Sequence, residues 1–422
     1  MLIRIATALF VILPAAAFAA EKPNVVMIIS DDQGWSDYGF MGHEAIQTPT
    51  LDQLAQQSEV FTRGYVPTSL CRPSLSTLIT GLYTHQHKIS GNDPDKNGKP
   101  ADQYAAVRER VISHIDKVQT LPTMLATNGY VSHQSGKWWE GNWRRGGFTA
   151  GMTRGFPQPG GRHGDDGLKI GREGLQPIFD FIDSAGDKPF FLWYAPFLPH
   201  EPHYPPARLT NKYKQAGRSG PVARYYAMCE WFDETCGELL KHLDEKGLAE
   251  NTLVVYVTDN GWIQKEKSSG HAARSKMSPY EGGIRTPIML RWPGKIKPSR
   301  DEQTLVSSID LAPTILAACG LKPTSSMRGV NLLEHTSGKP LTRDTIYGDV
   351  YAHDIADIDR PATSLLHRWC ISGDWKLIVP NGKEPAELYN VVEDPWEKNN
   401  VAAKNNGKIA DLRTKLDAWW KP

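Results

Sequence analysis

Short apolar runs at 24–29, 191–196, 253–258 and 286–291 lack the alternation of a half-exposed strand. Continuous runs rich in Val, Ile and Leu predict strands buried on both faces, as in a parallel sheet. Between them, apolar residues return at helical spacing over 50–58, 74–82, 119–128, 224–246 and 310–318. That alternation predicts an α/β sandwich, a sheet covered by helices. Near residue 340 the pattern changes to shorter strand signals at 369–372 and 375–379, followed by a closing helix over 409–420. It predicts a larger domain over 21–340 and a smaller C-terminal α+β subdomain over 341–422 with an antiparallel sheet. The 422 residues also exceed the roughly 250–300 that one hydrophobic core serves.

The first twenty residues stand apart. Arg4, an apolar stretch from Ile5 to Leu13 and the small-residue pattern Ala17-Phe18-Ala19 read as a secretory signal peptide over 1–20, which predicts a periplasmic or secreted protein. Cleavage removes Arg4 from the 48 basic residues, leaving 47 against 47 acidic ones. A net charge of zero carries no nucleic-acid footprint, and the absence of a second long apolar run predicts no membrane span. Five cysteines leave one unpaired whatever the others do, and Cys71 is the natural odd one. Cys229 and Cys236, seven apart on a predicted helix rising ~1.5 Å per residue, lie beyond disulfide reach and read as small buried apolar residues. Cys319 and Cys370 stay open.

Chemistry concentrates where strands end. The run Pro23 to Ser30 leads into Asp31-Asp32, and Leu253 to Thr258 leads into Asp259-Asn260. Clustered carboxylates repel unless a cation lies between them. Four hard oxygen donors suit Ca²⁺ or Mg²⁺ rather than zinc, with Ca²⁺ the first choice, and open α/β sheets bind ligands beyond the carboxyl ends of their strands. The segment Cys71-Arg72-Pro73-Ser74-Leu75 opens a helix whose apolar stripe is Leu75, Leu78, Ile79 and Leu82 and whose stop is Gly81. Cys71 therefore sits at a helix mouth that suits an oxyanion. His85 and His87 could ligate a metal, but their spacing equally suits core or solvated histidines.

These segments fall in the order of a known family. Asp31-Asp32-Gln33-Gly34-Trp35-Ser36-Asp37-Tyr38-Gly39, Thr48-Pro49-Thr50-Leu51-Asp52, the Cys71 motif, Gly136-Lys137-Trp138, Pro199-His200-Glu201-Pro202, Val257-Thr258-Asp259-Asn260-Gly261 and KMSPYEGGIRTP over 276–287 resemble the type I, formylglycine-dependent sulfatases of the alkaline-phosphatase superfamily. The tail over 387–397 resembles that family's C-terminal signature. The resemblance implies an alkaline-phosphatase-like mixed sheet and a sulfuric-ester hydrolase. In such an enzyme Cys71, oxidised to formylglycine by dedicated generating machinery, is the nucleophile. It implies that Asp31, Asp32, Asp259 and Asn260 hold the cation with residue 71, that Lys137 and Lys276 bind sulfate oxygens, and that His200 protonates the leaving alkoxide.

Two positions depart from the family pattern. Leu75 replaces an Arg that in the family supports formylglycine and its maturation, and Trp139 replaces a His that assists sulfate release. Arg72, across Pro73, cannot simply inherit the missing arginine's geometry. The segment 141–174 holds eleven glycines in 34 residues and reads as a long loop without secondary structure of its own. Its Trp143, Arg144, Arg162 and His163 are the expected contacts to an anionic sugar, and His353 could reach the same cleft. The favoured reading is hydrolysis of a sulfated carbohydrate. A phosphate or phosphonate monoester hydrolase and a non-catalytic sulfated-glycan binder are the alternatives.

Overall fold

The computed structural model describes residues 22–96, 98, 100–341 and 343–422, so the signal peptide read over 1–20 lies outside the described residues. Ten strands precede residue 310: β1 (Asn24–Ser30), β2 (Glu59–Tyr65), β3 (Asp93–Pro94), β4 (Val131–Gly136), β5 (Ala150–Gly151), β6 (Phe190–Ala195), β7 (Thr252–Thr258), β8 (Arg285–Arg291), β9 (Ser299–Asp301) and β10 (Val306–Ser307). All but β3 join one sheet in the order β10-β2-β8-β7-β1-β6-β4-β5, with β9 also on β2.

Direction within this sheet decides where the chemistry gathers. β7, β1, β6 and β4 are neighbours and mutually parallel. β8 runs against both β7 and β2, so β2 points the same way as the parallel block. The carboxyl ends of five strands and the amino end of β8 therefore share one edge of the sheet.

Successive residues of each parallel strand face opposite layers. Val25, Met27, Ile29, Trp193 and Val255 pack with Leu75, Leu78, Leu125 and Ile315 on one side. Val26, Ile28, Leu192 and Tyr256 pack with Leu51, Ile178, Phe232 and Leu239 on the other. The predicted α/β sandwich is this three-layer arrangement, and the four predicted strands form within a residue of their predicted bounds.

β2 and β4 are not visible as apolar runs. β4 reads Val-Ser-His-Gln-Ser-Gly, and two of its buried polar groups are internally bonded: Ser135 Oγ donates to the Trp193 carbonyl at 2.8 Å and Gln134 Nε2 to the Gly136 carbonyl at 2.9 Å. Burial of polar side chains is tolerable when such partners exist. β2 carries Arg63 and Gly64 next to a register irregularity against β8. The 141–174 segment is also more structured than the sequence suggests, since it contains β5 and two short 3-10 turns.

The C-terminal sheet runs β11 (Thr345–Tyr351), β13 (Leu365–Ser372), β14 (Trp375–Pro380) and β15 (Glu387–Asn390), antiparallel throughout, while β12 (Asp354–Ile355) pairs with β3. The helix Asn406–Trp419 covers it through Leu412, Leu416 and Trp419. Lys376 of β14 is fully buried between two carboxylates, 3.1 Å from Glu281 Oε1 and 2.9 Å from Glu397 Oε1. Glu397 also accepts the Glu281 N–H at 2.6 Å, and its carbonyl accepts Arg274 Nη1 at 2.5 Å. The segment 274–281, which contains Lys276, is thus fastened at both ends to the C-terminal subdomain.

Burial pushes the Glu397 carboxyl up to about 7, with Lys376 opposing and Glu281 adding repulsion. The folded state then binds a proton more tightly than the unfolded chain. Stability from this group is complete below the ordinary glutamate pKa near 4.5 and is lost as pH rises through about 7. Glu397→Gln is expected to lose less melting temperature than the unaltered protein between pH 5 and pH 8. Parallel thermal melts would show the opposite, or no difference, if the triad were fully charged throughout.

Candidate functional site

The shared edge collects residues from six separated segments. Asp31 and Asp32 follow β1, Lys137 follows β4, His200 follows β6, and Asp259 and Asn260 follow β7. Cys71 opens the helix Cys71–Thr80 after β2. Lys276 arrives from the opposite direction, on the segment before the reversed β8.

Local backbone geometry aims these groups. Gly136 has φ 86°, and a Cβ there would lie 1.8 Å from the Ala195 carbonyl oxygen. Only glycine permits the turn that lets the Lys137 N–H bond that carbonyl at 2.7 Å. Asp32 adopts φ 62° without being glycine, and its N–H donates to Asp259 Oδ1 at 3.0 Å. A left-handed aspartate is a strained choice typical of sites held by their surroundings. The helix Cys71–Thr80 starts earlier than its apolar stripe indicates, with Pro73 third, and ends at Gly81 with φ 67° as expected.

The side chains converge. Lys276 Nζ lies 3.1 Å from Cys71 Sγ, 2.7 Å from Asp32 Oδ2 and 3.3 Å from His200 Nε2. Cys71 Sγ is 3.9 Å from one oxygen of each of Asp31 and Asp32. Lys137 Nζ sits 2.8 Å from Asp31, and Asn260 Nδ2 2.7 Å from Asp32 Oδ1. Asp31, Asp32, Cys71 and His200 each offer a ligand atom within 4.8 Å of the others.

Charge is unbalanced here in a way a cation would correct. Burial, opposed by Lys137 but reinforced by Asp259 and Asp32, holds Asp31 well above the carboxylate range; Asp259 is raised too, by burial first. Asp32 goes the other way: burial alone would raise it, but Lys276, His200 and Lys137 bring it below the usual range. Asp259 Oδ2 and Asn260 Oδ1 are buried and have no hydrogen-bond partner. Buried acceptors without donors are costly in a protein interior. Hard oxygens that lack partners, beside carboxyls whose proton affinity burial and mutual repulsion raise, fit a divalent cation of the Ca²⁺ or Mg²⁺ kind.

Burial also pushes the Cys71 thiol up to about 12, despite Lys137 and Lys276. Both lysines are held above the ordinary lysine value: burial acts to lower them, but Asp31 beside Lys137 and Asp32 beside Lys276 more than reverse it. His200 is held well below the ordinary histidine value by burial and then by Lys137. Its Nδ1 faces the Glu201 carbonyl, which leaves Nε2 toward the cluster.

The other expected residues divide. Arg162 stacks over Trp139 at 4.8 Å and pairs with Asp93, and His163 lies 5.1 Å from Trp139. His163 continues to Phe197 at 5.4 Å, and Phe197 stacks on His200 at 4.4 Å, so Arg162 and His163 adjoin the cluster through a run of rings. Trp143 packs instead against Gly151 at the β5 edge, with Arg144 stacked on it at 4.1 Å. Neither has a contact with the Asp31–Lys276 cluster among the described residues. His353 lies 3.4 Å from Asn92, whose Oδ1 accepts the Arg72 N–H. His87 is bonded to Thr77 and His85 stacks with Tyr83 and Trp420, so they do not form a metal pair. All five cysteines are free and buried, including Cys319 and Cys370.

Three contributors are not evident from the sequence. Glu140 clamps the buried Arg72 through two contacts of 2.7 Å, tying the helix of Cys71 to the segment of Lys137. Ser74 Oγ donates to the Asp259 carbonyl at 2.5 Å. Phe197 carries the stack to His200. None carries a signal in the sequence; Arg72 and Glu140, for one, lie 68 residues apart.

The sulfatase family profile matches residues 23–321, and that of the N-sulphoglucosamine sulphohydrolase C-terminal region matches 271–420. Arylsulfatase A of Homo sapiens is 31% identical over 378 residues, spanning 77% of this chain and 69% of its own. N-acetylgalactosamine-6-sulfatase of Canis lupus familiaris is 29% identical over 409 residues, spanning 86% and 74%. Among solved structures, Ps i-CgsB in complex with k-i-k-neocarrahexaose shares 25% identity at a TM-score of 0.74, covering 94% of this chain and 92% of that one.

Proposed function

The chain belongs to the sulfatase family, and from that premise we propose an exported enzyme that releases sulfate from a sulfated carbohydrate, using formylglycine formed at Cys71 and Ca²⁺ held by Asp31, Asp32, Asp259 and Asn260. The observation that carries this reading is the position of Cys71 Sγ, 3.1 Å from Lys276 Nζ and 3.9 Å from both Asp31 and Asp32. A thiol pushed up to about 12 is protonated at neutral pH and a poor nucleophile, so this position calls for a different group. Formylglycine would supply an oxygen nucleophile there, and the cation fixed positive charge. One relative is an N-acetylgalactosamine-6-sulfatase and one structure holds a neocarrahexaose, which favours a carbohydrate substrate.

The chain's own residues account for the rest. Lys137 and Lys276 are charged, buried and aimed at the same space, where they stabilise charge gathering on sulfate oxygens. His200 presents Nε2 from the same side. A bound sulfate offsets the lysine charges that depress His200 and raises its proton affinity, which suits an acid that protonates the leaving oxygen. Arg162 and His163 lie beside this space and are retained as sugar contacts, whereas Trp143 and Arg144 require a substrate that extends to the β5 edge.

Leu75 is buried in the main core and Trp139 under the Arg162 guanidinium, so neither position holds the polar group of the family pattern. Protein from the native host is expected to show a formylglycine mass on the Cys71 peptide and to hydrolyse an aryl sulfate faster than the matching phosphate or phosphonate. Leu75→Arg is expected to cost roughly several kcal/mol by burying an unpaired charge. An unmodified thiol together with tight binding of sulfated oligosaccharide and no sulfate release would replace this reading with a glycan binder. Faster phosphonate cleavage would replace it with the monoesterase alternative.

A further inference from the structure

Immediately after His200 the chain lines a separate cavity of about 490 Å³, within the size range of ligand pockets. His203, Tyr204, Arg224, Gln264 and Glu201 form most of its wall. Several of them are unusual for a structural surface. Arg224 is half-buried and makes no hydrogen bond or ion pair with any described residue, although its charge is felt at His203. His203 is only 8% exposed, and its Nε2 is buried without a partner. Tyr204 is 75% exposed, the most exposed large apolar side chain among the described residues.

The remaining polar groups are held in place. Gln264 Oε1 accepts Trp262 Nε1 at 3.2 Å, and its Nε2 donates to the Ser268 carbonyl at 2.9 Å. Glu201 Oε1 accepts the Gly270 N–H at 2.6 Å. A guanidinium without a counter-ion, a buried imidazole nitrogen without a partner, a fixed carboxylate and an open aromatic face match one ligand chemistry. A sugar ring stacks on the tyrosine, its hydroxyls bond the carboxylate, and an anionic substituent meets the arginine.

We propose that this cavity binds the saccharide unit next to the sulfated one, through a uronate carboxylate or second sulfate held by Arg224 and a ring face on Tyr204. The inference rests on the reading of His200 as the group facing the leaving oxygen, because residues 201–204, which line the cavity, continue directly from it. It adds a specificity contact to those retained at Arg162 and His163 of the Gly/Arg-rich segment 141–174.

The test compares Arg224→Ala, Arg224→Lys and Tyr204→Ala with the unaltered protein. Calorimetric titration uses sulfated disaccharides whose second unit carries a carboxylate, a sulfate or neither, and kcat/KM is measured for the same sugars and for an aryl sulfate. Loss of the charged contact is expected to weaken binding of the two anionic disaccharides roughly 10- to 100-fold, through KM rather than kcat, with Arg224→Lys in between. The neutral disaccharide and the aryl sulfate should lose roughly tenfold less. Whichever anionic sugar shows the greater loss identifies the substituent.

Equal losses on every substrate, or unchanged binding of both anionic sugars, would overturn the subsite while leaving the sulfatase reading intact. Tyr204→Ala, at an exposed position, serves if Arg224 variants fail to fold. Absence of sulfate release from any substrate would sink the hydrolase reading instead, and the calorimetry would still decide the cavity.

Discussion

Asp259→Asn is expected to lower aryl-sulfate turnover roughly 10²- to 10³-fold or more and to abolish the stabilisation that added Ca²⁺ confers. The substitution keeps Oδ1, which accepts the N–H groups of Asp32 and Asn260, so the turn should survive. It removes the charge and turns the partnerless Oδ2 position into an amide donor. In the unaltered protein, Ca²⁺ at roughly a hundred times its dissociation constant should stabilise the fold by about 2.7 kcal/mol. In the variant that increment disappears, whereas the chelator-treated variant should melt at or above the chelator-treated original, because one of three crowded, buried carboxyls is replaced by a neutral amide. Differential scanning with chelator and with Ca²⁺ reads both effects. A Ca²⁺ increment that survives in the variant would mean the ion binds elsewhere.

Glu140→Ala is expected to cost about 3–5 kcal/mol, among the largest effects of any single substitution in this chain. Arg72 is fully buried and its guanidinium meets Glu140 through both arms, so truncation strands a charge in the interior. Activity should fall further than stability alone explains, since the pair joins the residue after Cys71 to the segment that carries Lys137. Urea titration measures the first effect, and turnover at a temperature where the variant stays folded measures the second. Replacing both members, Arg72→Met with Glu140→Leu, should recover much of the stability and little of the turnover. Recovery of both would reduce the pair to packing.

The two predictions differ in how far the sequence alone anticipates them. Asp31, Asp32, Asp259 and Asn260 are legible because each pair ends an apolar run, and a strand buried on both faces gains nothing in packing from an acid at its end. Cys71 is legible for a similar local reason, a cysteine ahead of a helical stripe that stops at Gly81. Covalent neighbours settle such signals. Arg72 and Glu140 are 68 residues apart, and no periodicity links them. The same holds for Lys276, whose approach depends on β8 running against its neighbours. Strand direction has no signature in the apolar pattern, because a strand and its reverse present the same alternation of faces.

The sequence by itself determined the layered α/β class, the apolar strands β1, β6, β7 and β8, the helices near 50–58, 74–82, 119–128, 224–246 and 310–318 but not Ala101–Ile112, Gln176–Ala185 or Ala207–Gln215, and the identity of the acids and cysteine at strand and helix ends, since each follows from short-range periodicity and burial. The tertiary structure decided which ends share an edge, that β2 and β4 are strands despite their polar residues, that Arg162 and His163 adjoin the cluster while Trp143 and Arg144 pack at the β5 edge, and that Arg224 faces a cavity without a counter-charge. Those outcomes depend on which distant groups satisfy one another's charge and hydrogen bonds. That accounting closes only when the whole chain is folded.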